Sequence, residues 1–404
     1  MRKMTLGVVF GSRSCEHEVS VISALQMMKA ANPDHYDIVP IYISMKGEWY
    51  TGAPLLDLQT YRNFDGFQKG IYRVWLDSTA ASGVLMTLDP PKGLFGKETQ
   101  RVVARLDCAM PVLHGMHGED GTLQGLFEMY NIPYASSGVP ASAVGMDKTY
   151  MKEFFKGCGF PVLDSCWVLR CAWEADPEAA IREIEDKLDY PVFVKPASLG
   201  SSIGVTKAKN KDDLMESLAL AFSFDRKVLI EKGLENPLEL NCSVLGYNED
   251  VTASEIEMPV TGGDLLSFMD KYLQGSKNAT KGMASLKRIL PAPIEPALKE
   301  RIQSLSVDIF KRMDCKSVVR IDFMYDAATD GLYITEINTI PGSLAFYLWE
   351  ASRLKYPELI DRMVACAMKA HEEKNDSNYA FSSNILNEVS FGAKSGGKLG
   401  PKHQ

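Results

Sequence analysis

No run of the chain approaches the ~20 consecutive apolar residues of a membrane-spanning helix, so a helical membrane protein is not expected. The opening MRKMTLGVVFGSRS carries basic residues, but its apolar run is too short for the core of a secretory signal and reads as a first strand. The eight cysteines contain no C-x-x-C pair. Cys108, Cys242 and Cys366 sit in apolar surroundings, which suits reduced, buried thiols in a cytoplasmic protein rather than a disulfide framework. A positive balance is also lacking: acidic residues outnumber basic ones, 52 to 44. A formal net charge of −8 argues against general nucleic-acid binding and leaves any anionic substrate to local lysines. No G-x-G-x-x-G follows the first strand, which removes the dinucleotide-binding signature, and no internal repeat is visible. What the chain does have is length. Its 404 residues, of ordinary hydrophobic content, exceed one typical core and predict two or three domains.

The most informative stretch is residues 317–344, SVVRIDFMYDAATDGLYITEINTIPGSL. Two strand-like runs flank the turn-forming AATDG, which predicts a β-hairpin. Alternation along the first strand puts Ile321, Phe323 and Tyr325 on one face and Arg320 and Asp322 on the other. On the second strand Glu336 and Asn338 share a face. If the polar faces coincide, two carboxylates and an amide oxygen converge. Close carboxylates repel and need a shared proton or a cation. An all-oxygen set with few protein ligands suits Mg2+, which keeps waters and binds substrate phosphates as well. A single Asp–Glu pair on such a hairpin would ordinarily just face water; R-x-D followed by E-x-N-T-x-P-G points instead to a metal–nucleotide site.

In chain order, LGVVFG and the following SRSCEHEVSVISALQMMKA read as strand, tight loop and helix, with Val19, Ile22, Leu25 and Met28 as the apolar stripe. Glu16 and Glu18 fall near the helix start, and position alone favours plain helix-end electrostatics for them. Further strands are expected at VPIYIS, IYRVWLD and CAMPVLHG. An open α/β sheet places ligands beyond its strand ends, where SRSCE and HGMHGEDG would lie. His114 and His117, with Glu119 and Asp120, invite a metal reading, but the Gly-rich spacing favours loop structure or substrate contact. ASAVGMDKTYMKEFFKGCGF is helical, PVLDSCWVL a strand, and DPEAAIREIEDKL a helix with Asp176 as N-cap and Pro177 at N1. A buried strand then delivers Lys195 into a Gly/Ser loop containing Gly200, Ser201, Ser202 and Gly204. Such a loop can cradle phosphate through backbone N–H groups, and a lysine ending an apolar strand needs an anionic partner. VLIEKGL is a strand leading into a hinge, and ELNCSVLGY and VTASEIEMP are strands of a last domain. Residues 268–288 read as a mobile loop of lid type. EPALKERIQSLSVDIFKRM and PELIDRMVACAMKAHEE are helices flanking the hairpin, and the tail after Lys374 is low in apolar content and expected to be disordered.

The ordered set E-H-E-V-S, H-G-M-H-G-E-D-G-T-L-Q-G, M-D-K, V-K-P-A-S-L-G-S-S-I-G, E-K-G-L, D-K-Y, R-I-D and E-I-N-T-I-P-G resembles the D-alanine–D-alanine ligase family of the ATP-grasp superfamily. The resemblance covers about residues 5–370. It implies an α/β ATP-grasp fold: an N-terminal open parallel-sheet, Rossmann-like substrate domain (1–140), a central ATP-grasp subdomain (141–233) and a C-terminal one carrying the metal site (234–374), followed by the tail (375–404). It implies ATP and Mg2+ or Mn2+, D-amino acids as substrates, a cytoplasmic homodimer, and no nucleic-acid or membrane partner. In the family one D-alanine carboxylate attacks the γ-phosphate of ATP, and the amine of a second amino acid attacks the resulting acylphosphate. By the same resemblance Asp322, Glu336 and Asn338 match the metal ligands; Lys148, Lys195, Ser202 and Lys271 match the phosphate contacts; Glu231, Lys232, Leu234 and Glu239 match the adenosine pocket. Arg320 and the amide of Gly342 match the groups at the tetrahedral intermediate. Glu16 matches the residue holding the first ammonium, close to His114, and Ser201 and Tyr272 match its links to the lid loop. Tyr rather than His after Lys271 resembles alanine-adding members. Two departures concern the second substrate. Tyr347 stands where the family usually carries a serine for the second carboxylate, and the lid segment is long and lysine-rich (Lys277, Lys281, Lys287), so that a Lys or Arg from it could replace that contact.

Overall fold

A computed structural model describes residues 2–79, 83–89, 97–260 and 288–378, with 383 and 385. Three sheets follow one another along the chain. The first comprises β1 (Met4–Gly11), β2 (Tyr36–Ile43), β3 (Trp49–Thr51), β4 (Tyr72–Leu76), β5 (Val84–Asp89), β6 (Thr99–Arg105) and β7 (Cys108–Pro111), in the order β6-β5-β4-β3-β2-β1-β7. Only β2, β1 and β7 run parallel; the rest add on antiparallel. The change of direction starts at the short β2–β3 connection, where Gly47 takes a left-handed φ of 84° in a turn too short for a crossover.

Helix α1 (His17–Ala30) packs on β1, turned from the expected stripe. Val19 and Met28 are buried, but Ile22 and Leu25 are only half-buried, while Ser20, Ser23 and Ala24 face inward. The inward serines are tied to backbone: Ser20 Oγ donates to the Val112 carbonyl (2.6 Å) and accepts from Gly11 N–H (2.8 Å). Hydrogen-bonded hydroxyls can be buried at little cost, so small polar side chains displace larger apolar ones here. The helices α2 (Gln59–Arg62), α3 (Thr122–Met129), α4 (Val139–Met146) and α5 (Lys148–Gly157) follow. The single helix expected around residues 141–160 is two, because Asp147 leaves the helical region (φ −88°, ψ 104°) and caps the second through Thr149 N–H and Tyr150 N–H.

The second sheet holds β8 (Ser165–Leu169), β9 (Val192–Pro196), β10 (Thr206–Ala208) and β11 (Lys227–Lys232) in the antiparallel order β10-β9-β11-β8, with α6 (Arg170–Ala175) and α7 (Pro177–Glu185) between β8 and β9 and α8 (Lys211–Phe224) between β10 and β11. Asp176 accepts from Ala179 N–H as N-cap of α7, with Pro177 first in the helix as expected. Ile181, Ile184, Leu214 and Leu218 cover Val194, Val228 and Ile230. The third sheet is wholly antiparallel: β12 (Leu238–Tyr247), β13 (Asp250–Pro259), β14 (Arg288–Ile289), β15 (Ser317–Asp326) and β16 (Gly331–Asn338), ordered β14-β13-β12-β15-β16. It is covered by α9 (Pro296–Arg312) through Ile302, Ile309 and Phe310, and also by Met151 and Phe155 of α5. After α10 (Phe346–Ala351), α11 (Tyr356–Asn375) returns to the first unit, where Leu359, Ile360 and Met363 share a core with Leu6, Val8 and Met110.

All eight cysteines are free thiols; Cys108, Cys242 and Cys315 are buried, Cys166 and Cys366 are half-buried, and Cys15, Cys158 and Cys171 are exposed, so burial is less general than the composition suggested. Among the described residues no helix is long and apolar enough to cross a membrane. The expected tail, beyond the end of α11, falls almost entirely outside the described residues.

Candidate active site

The hairpin exists, and its polar faces coincide. In the β15–β16 register Arg320 lies opposite Asn338 and Asp322 opposite Glu336. The register shifts just beyond, so that Phe323 pairs with Ile334 and Thr335 is the extra residue; its Oγ1 donates to the Asp322 carbonyl (2.9 Å). This bulge decides the site. Strict alternation would put Glu336 on the face of Leu332 and Ile334, which are core residues. The inserted residue reverses the phase, so Ile337 takes the core face while Glu336 and Asn338 project with Asp322. The Arg320 guanidinium forks onto the Asp322 carboxylate from Nε and Nη2, both at 2.6 Å, and Asn338 Nδ2 donates to Asp322 Oδ2 (3.1 Å). Burial and the facing Glu336 charge raise the Asp322 carboxyl to about 6, against the pull of Arg320. Among the described residues no three His, Cys, Asp or Glu side chains are grouped to hold a metal ion. Asp322, Glu336 and Asn338 form instead a partial, all-oxygen set under electrostatic stress, which fits a hard divalent cation completed by water and phosphate oxygens.

The lysines come from the neighbouring units. Lys148, at the start of α5, donates from Nζ to the Leu199 carbonyl (2.6 Å) and lies 3.8 Å from Glu336 Oε2. Lys195, at the end of β9, meets Glu231 Oε2 at 2.5 Å. Glu231 is buried on β11 and also pairs with Lys152, one helical turn after Lys148. Burial opposes ionisation of Glu231, but the two ammonium groups overcome it and hold the carboxyl down at about 2. The Glu231 carboxylate is therefore committed to two lysines rather than projecting toward a base. Lys232 is exposed and Leu234 half-buried where the chain passes from β11 to β12, and Glu239 on β12 adds to the field at Lys195. The Gly/Ser loop after β9 places Ser201 and Ser202 in left-handed conformations (φ 53° and 58°).

Glu16 gives no side-chain cap to α1. Its carboxylate instead accepts a hydrogen bond from Ser201 Oγ, joining the first unit to the Gly/Ser loop. Two glycines make room for it: a Cβ on Gly200 or Gly115 would sit 2.6 or 2.7 Å from Glu16 Oε2. The polar side chains of the HGMHGEDG loop bond within the protein. Asp120 accepts from His117 N–H and Thr122 N–H. His114 Nδ1 donates to the Ile340 carbonyl (2.9 Å), and its Nε2 accepts from Ser23 Oγ (2.8 Å), which in turn accepts from Ser343 N–H. Burial lowers the His114 pKa to about 4, so the ring is neutral. Glu119 accepts from Gly115 N–H and from Ile340 N–H, both at 2.9 Å. Burial and the nearby Glu16 charge raise its carboxyl to about 8. His114 and Glu119 thus fix the turn that leads from Asn338 to Gly342, itself the first residue of a 3-10 turn through Ala345.

Tyr347 is buried on α10, and its hydroxyl donates to Glu257 Oε1 (2.9 Å) rather than projecting free. Lys271 and Tyr272, with residues 268–287 of the lid segment and its lysines, lie outside the described residues. Sequence reading missed Lys152 and Glu257; it noted Glu119 only as part of the Gly-rich loop, and Arg288 only within the lid segment whose Lys or Arg it offered to the acceptor carboxylate. Lys152 carried one visible signal, its i,i+4 spacing from Lys148.

Two buried lysines and a Gly/Ser loop facing a carboxylate-bearing hairpin, in an α/β chain with one parallel-containing and two antiparallel sheets, define the ATP-grasp class. Residues 5–137 match the sequence family described as D-ala D-ala ligase N-terminus, and residues 154–365 the one described as D-ala D-ala ligase C-terminus. The D-alanine–D-alanine ligase of Acetivibrio thermocellus is 38% identical over 376 residues, 91% of this chain and 96% of that one. That of Geobacillus thermodenitrificans is 36% identical over 384 residues, 94% of this chain and 99% of that one. The chain belongs to the D-alanine–D-alanine ligase family. Among solved structures, the D-alanine–D-alanine ligase of Coxiella burnetii superposes with a TM-score of 0.75 at 26% identity, covering 93% of this chain and 97% of that one. The VanG D-Ala:D-Ser ligase of Enterococcus faecalis does so with a TM-score of 0.75 at 29% identity, covering 91% and 100%.

Proposed function

We propose that the chain joins two D-alanines into D-Ala–D-Ala at the expense of ATP, through a D-alanyl phosphate, as a step in peptidoglycan precursor synthesis. The observation that carries this reading is the meeting of Glu16 and Ser201, Lys148 and Glu336, and the Arg320–Asp322 pair around one turn, in a chain of this family. Glu16 would hold the ammonium of the first D-alanine, with His114 fixing the floor beside it. Lys148, Lys195 and the Ser202 loop would align the phosphates, and residues 231–239 would hold the adenosine. Asp322, Glu336 and Asn338 would hold Mg2+ or Mn2+, which supplies charge neutralisation on the phosphates. The first carboxylate attacks the γ-phosphorus as the bond to ADP breaks. The amine of the second amino acid then attacks the acyl carbon, and inorganic phosphate leaves. Arg320 and the Gly342 amide would stabilise the negative oxygen formed in between. In this reading Lys271 and Tyr272 act from the lid, the three sheets are the cores of the three domains set out above, and the enzyme is a cytoplasmic homodimer.

A related ligase with a different acceptor, such as D-serine, is the second reading. It is favoured by the engagement of the Tyr347 hydroxyl with Glu257. ATP-dependent phosphate release with D-alanine alone, the product identified by mass, separates the two. D-Ala–D-Ala at a useful rate supports the first; phosphate release coupled to ligation only with another acceptor supports the second.

A further inference from the structure

A serine at position 347 would offer a hydroxyl to the carboxylate of the acceptor amino acid; the tyrosine there does not have one to spare. A phenol carries one proton, and Tyr347 gives it to Glu257 Oε1 at 2.9 Å. Glu257 is only 3% exposed and gathers two more donors: Asn241 Nδ2 on Oε1 (3.0 Å) and Arg288 Nη1 on Oε2 (2.8 Å). The Arg288 guanidinium carbon also sits over the tyrosine ring, 3.7 Å from its centroid. One arginine on β14 is therefore gripped from two sides, by a carboxylate on β13 and an aromatic ring on α10. The grip lies next to the reaction centre. Asn241 is paired on one side with Glu257 and on the other with Asp322, one strand away in each direction. Arg320 also feels the charge of Glu257.

We propose that Arg288 binds the carboxylate of the acceptor amino acid in place of the missing serine, and that Glu257 and Tyr347 are positioning residues that hold its guanidinium over the site. This rests on the ligase reading above. An arginine is suited to the task because its planar fork matches a carboxylate and keeps its charge at any working pH. The Glu257 contact through Nη1 fixes the plane of the fork, and the ring beneath fixes its height. The tyrosine is then not a weakened serine but part of a different device for the same group.

The test is a partition experiment. Enzyme, ATP and D-alanine are mixed with D-alaninamide, which has the acceptor amine but neither a charge at the other end nor a carboxylate to be activated. The ratio of D-Ala–D-Ala to D-Ala–D-alaninamide, read by mass, reports recognition of the acceptor carboxylate and does not depend on how much enzyme is folded. Wild type is expected to favour the acid, and Arg288→Met to lower that preference by roughly 10- to 100-fold, the range for losing a charge-assisted hydrogen bond. Arg288→Lys should fall between the two. Tyr347→Phe and Glu257→Gln should lower the ratio less, because each loosens the guanidinium without removing it. An unchanged ratio in Arg288→Met overturns the proposal while leaving the ligase reading intact. If wild type couples only another D-amino acid, the D-Ala–D-Ala reading falls, and the same ratio taken with that acid and its amide still decides the role of Arg288.

Discussion

The Asp322 carboxylate serves two partners at once: it neutralises a buried arginine and faces Glu336 across the hairpin. Substitutions of the two acids should therefore behave differently. Glu336→Gln removes a charge from a side chain that is one-third exposed, and it should cost roughly 4 kcal/mol of transition-state stabilisation, about 1000-fold in kcat, with the fold retained. Asp322→Asn should abolish turnover as well, but it also strips Arg320 of its buried counter-charge and should lower the unfolding midpoint. Full activity in purified, folded Glu336→Gln would remove the metal assignment. His114 makes a prediction of opposite kind. Its folded pKa is depressed, so the unfolded chain binds the proton more tightly and stability falls with pH between about 6.5 and 4. Going from pH 7 to pH 5 should cost about 2 kcal/mol through this one residue. Urea unfolding of wild type and His114→Gln at both values checks it; equal pH dependence in the two proteins would contradict the neutral, buried imidazole. The identities of these residues were legible in short motifs. Their partners were not, because Glu231 meets Lys152 from one helix and Lys195 from a strand far along the chain, and no spacing rule joins them.

Elements were legible where period and caps agreed, as for α7 with its Asp176 cap or the β15–β16 hairpin around AATDG. A single residue can change the phase. Thr335 is one such residue: the expected shared face of Glu336 and Asn338 holds, but only through its bulge, without which strict alternation would have put Glu336 in the core. Asp147 is another, since it divides an expected single helix and then caps the second half. The same carboxylate pairs at 2.5 Å with Lys227, whose side chain is only 7% exposed. Asp147→Ala thus removes both a cap and the counter-charge of a buried lysine, and it should destabilise by about 3–5 kcal/mol. Asp147→Asn keeps an acceptor for Thr149 N–H and should cost less. Because α5 also carries Lys148 and Lys152, the alanine variant should raise the KM for ATP. Unfolding free energies from urea titration within about 1 kcal/mol of wild type would show that the cap and the pair contribute little.

At the scale of the molecule, the site is where three sheets are tied to one another by side chains of opposite ownership. Glu16 reaches Ser201 from the first unit to the second; His114 and Glu119 reach Ile340 from the first to the third; Lys148 faces Glu336. Three sheets follow one another in the order of the motifs, but the motifs did not show that α5 would pack on the third sheet or that α11 would return to the first. Those contacts are long-range and leave no local period. Since ligands would bind where the units meet, they should stabilise all three together. A non-hydrolysable ATP analogue with Mg2+, at about 100 times its Kd, adds about 2.7 kcal/mol to the folded state. Spread over the unfolding entropy of a chain this long, that corresponds to a rise of about 3 °C in Tm. If Asp322, Glu336 and Asn338 hold the metal that bridges the phosphates, a chelator should remove most of the rise. Glu336→Gln should show a reduced rise even with Mg2+ present, because one of the two carboxylates facing the cation has lost its charge. A shift of the same size with and without chelator would place nucleotide binding outside the influence of the hairpin, and the site as assembled here would have to be given up.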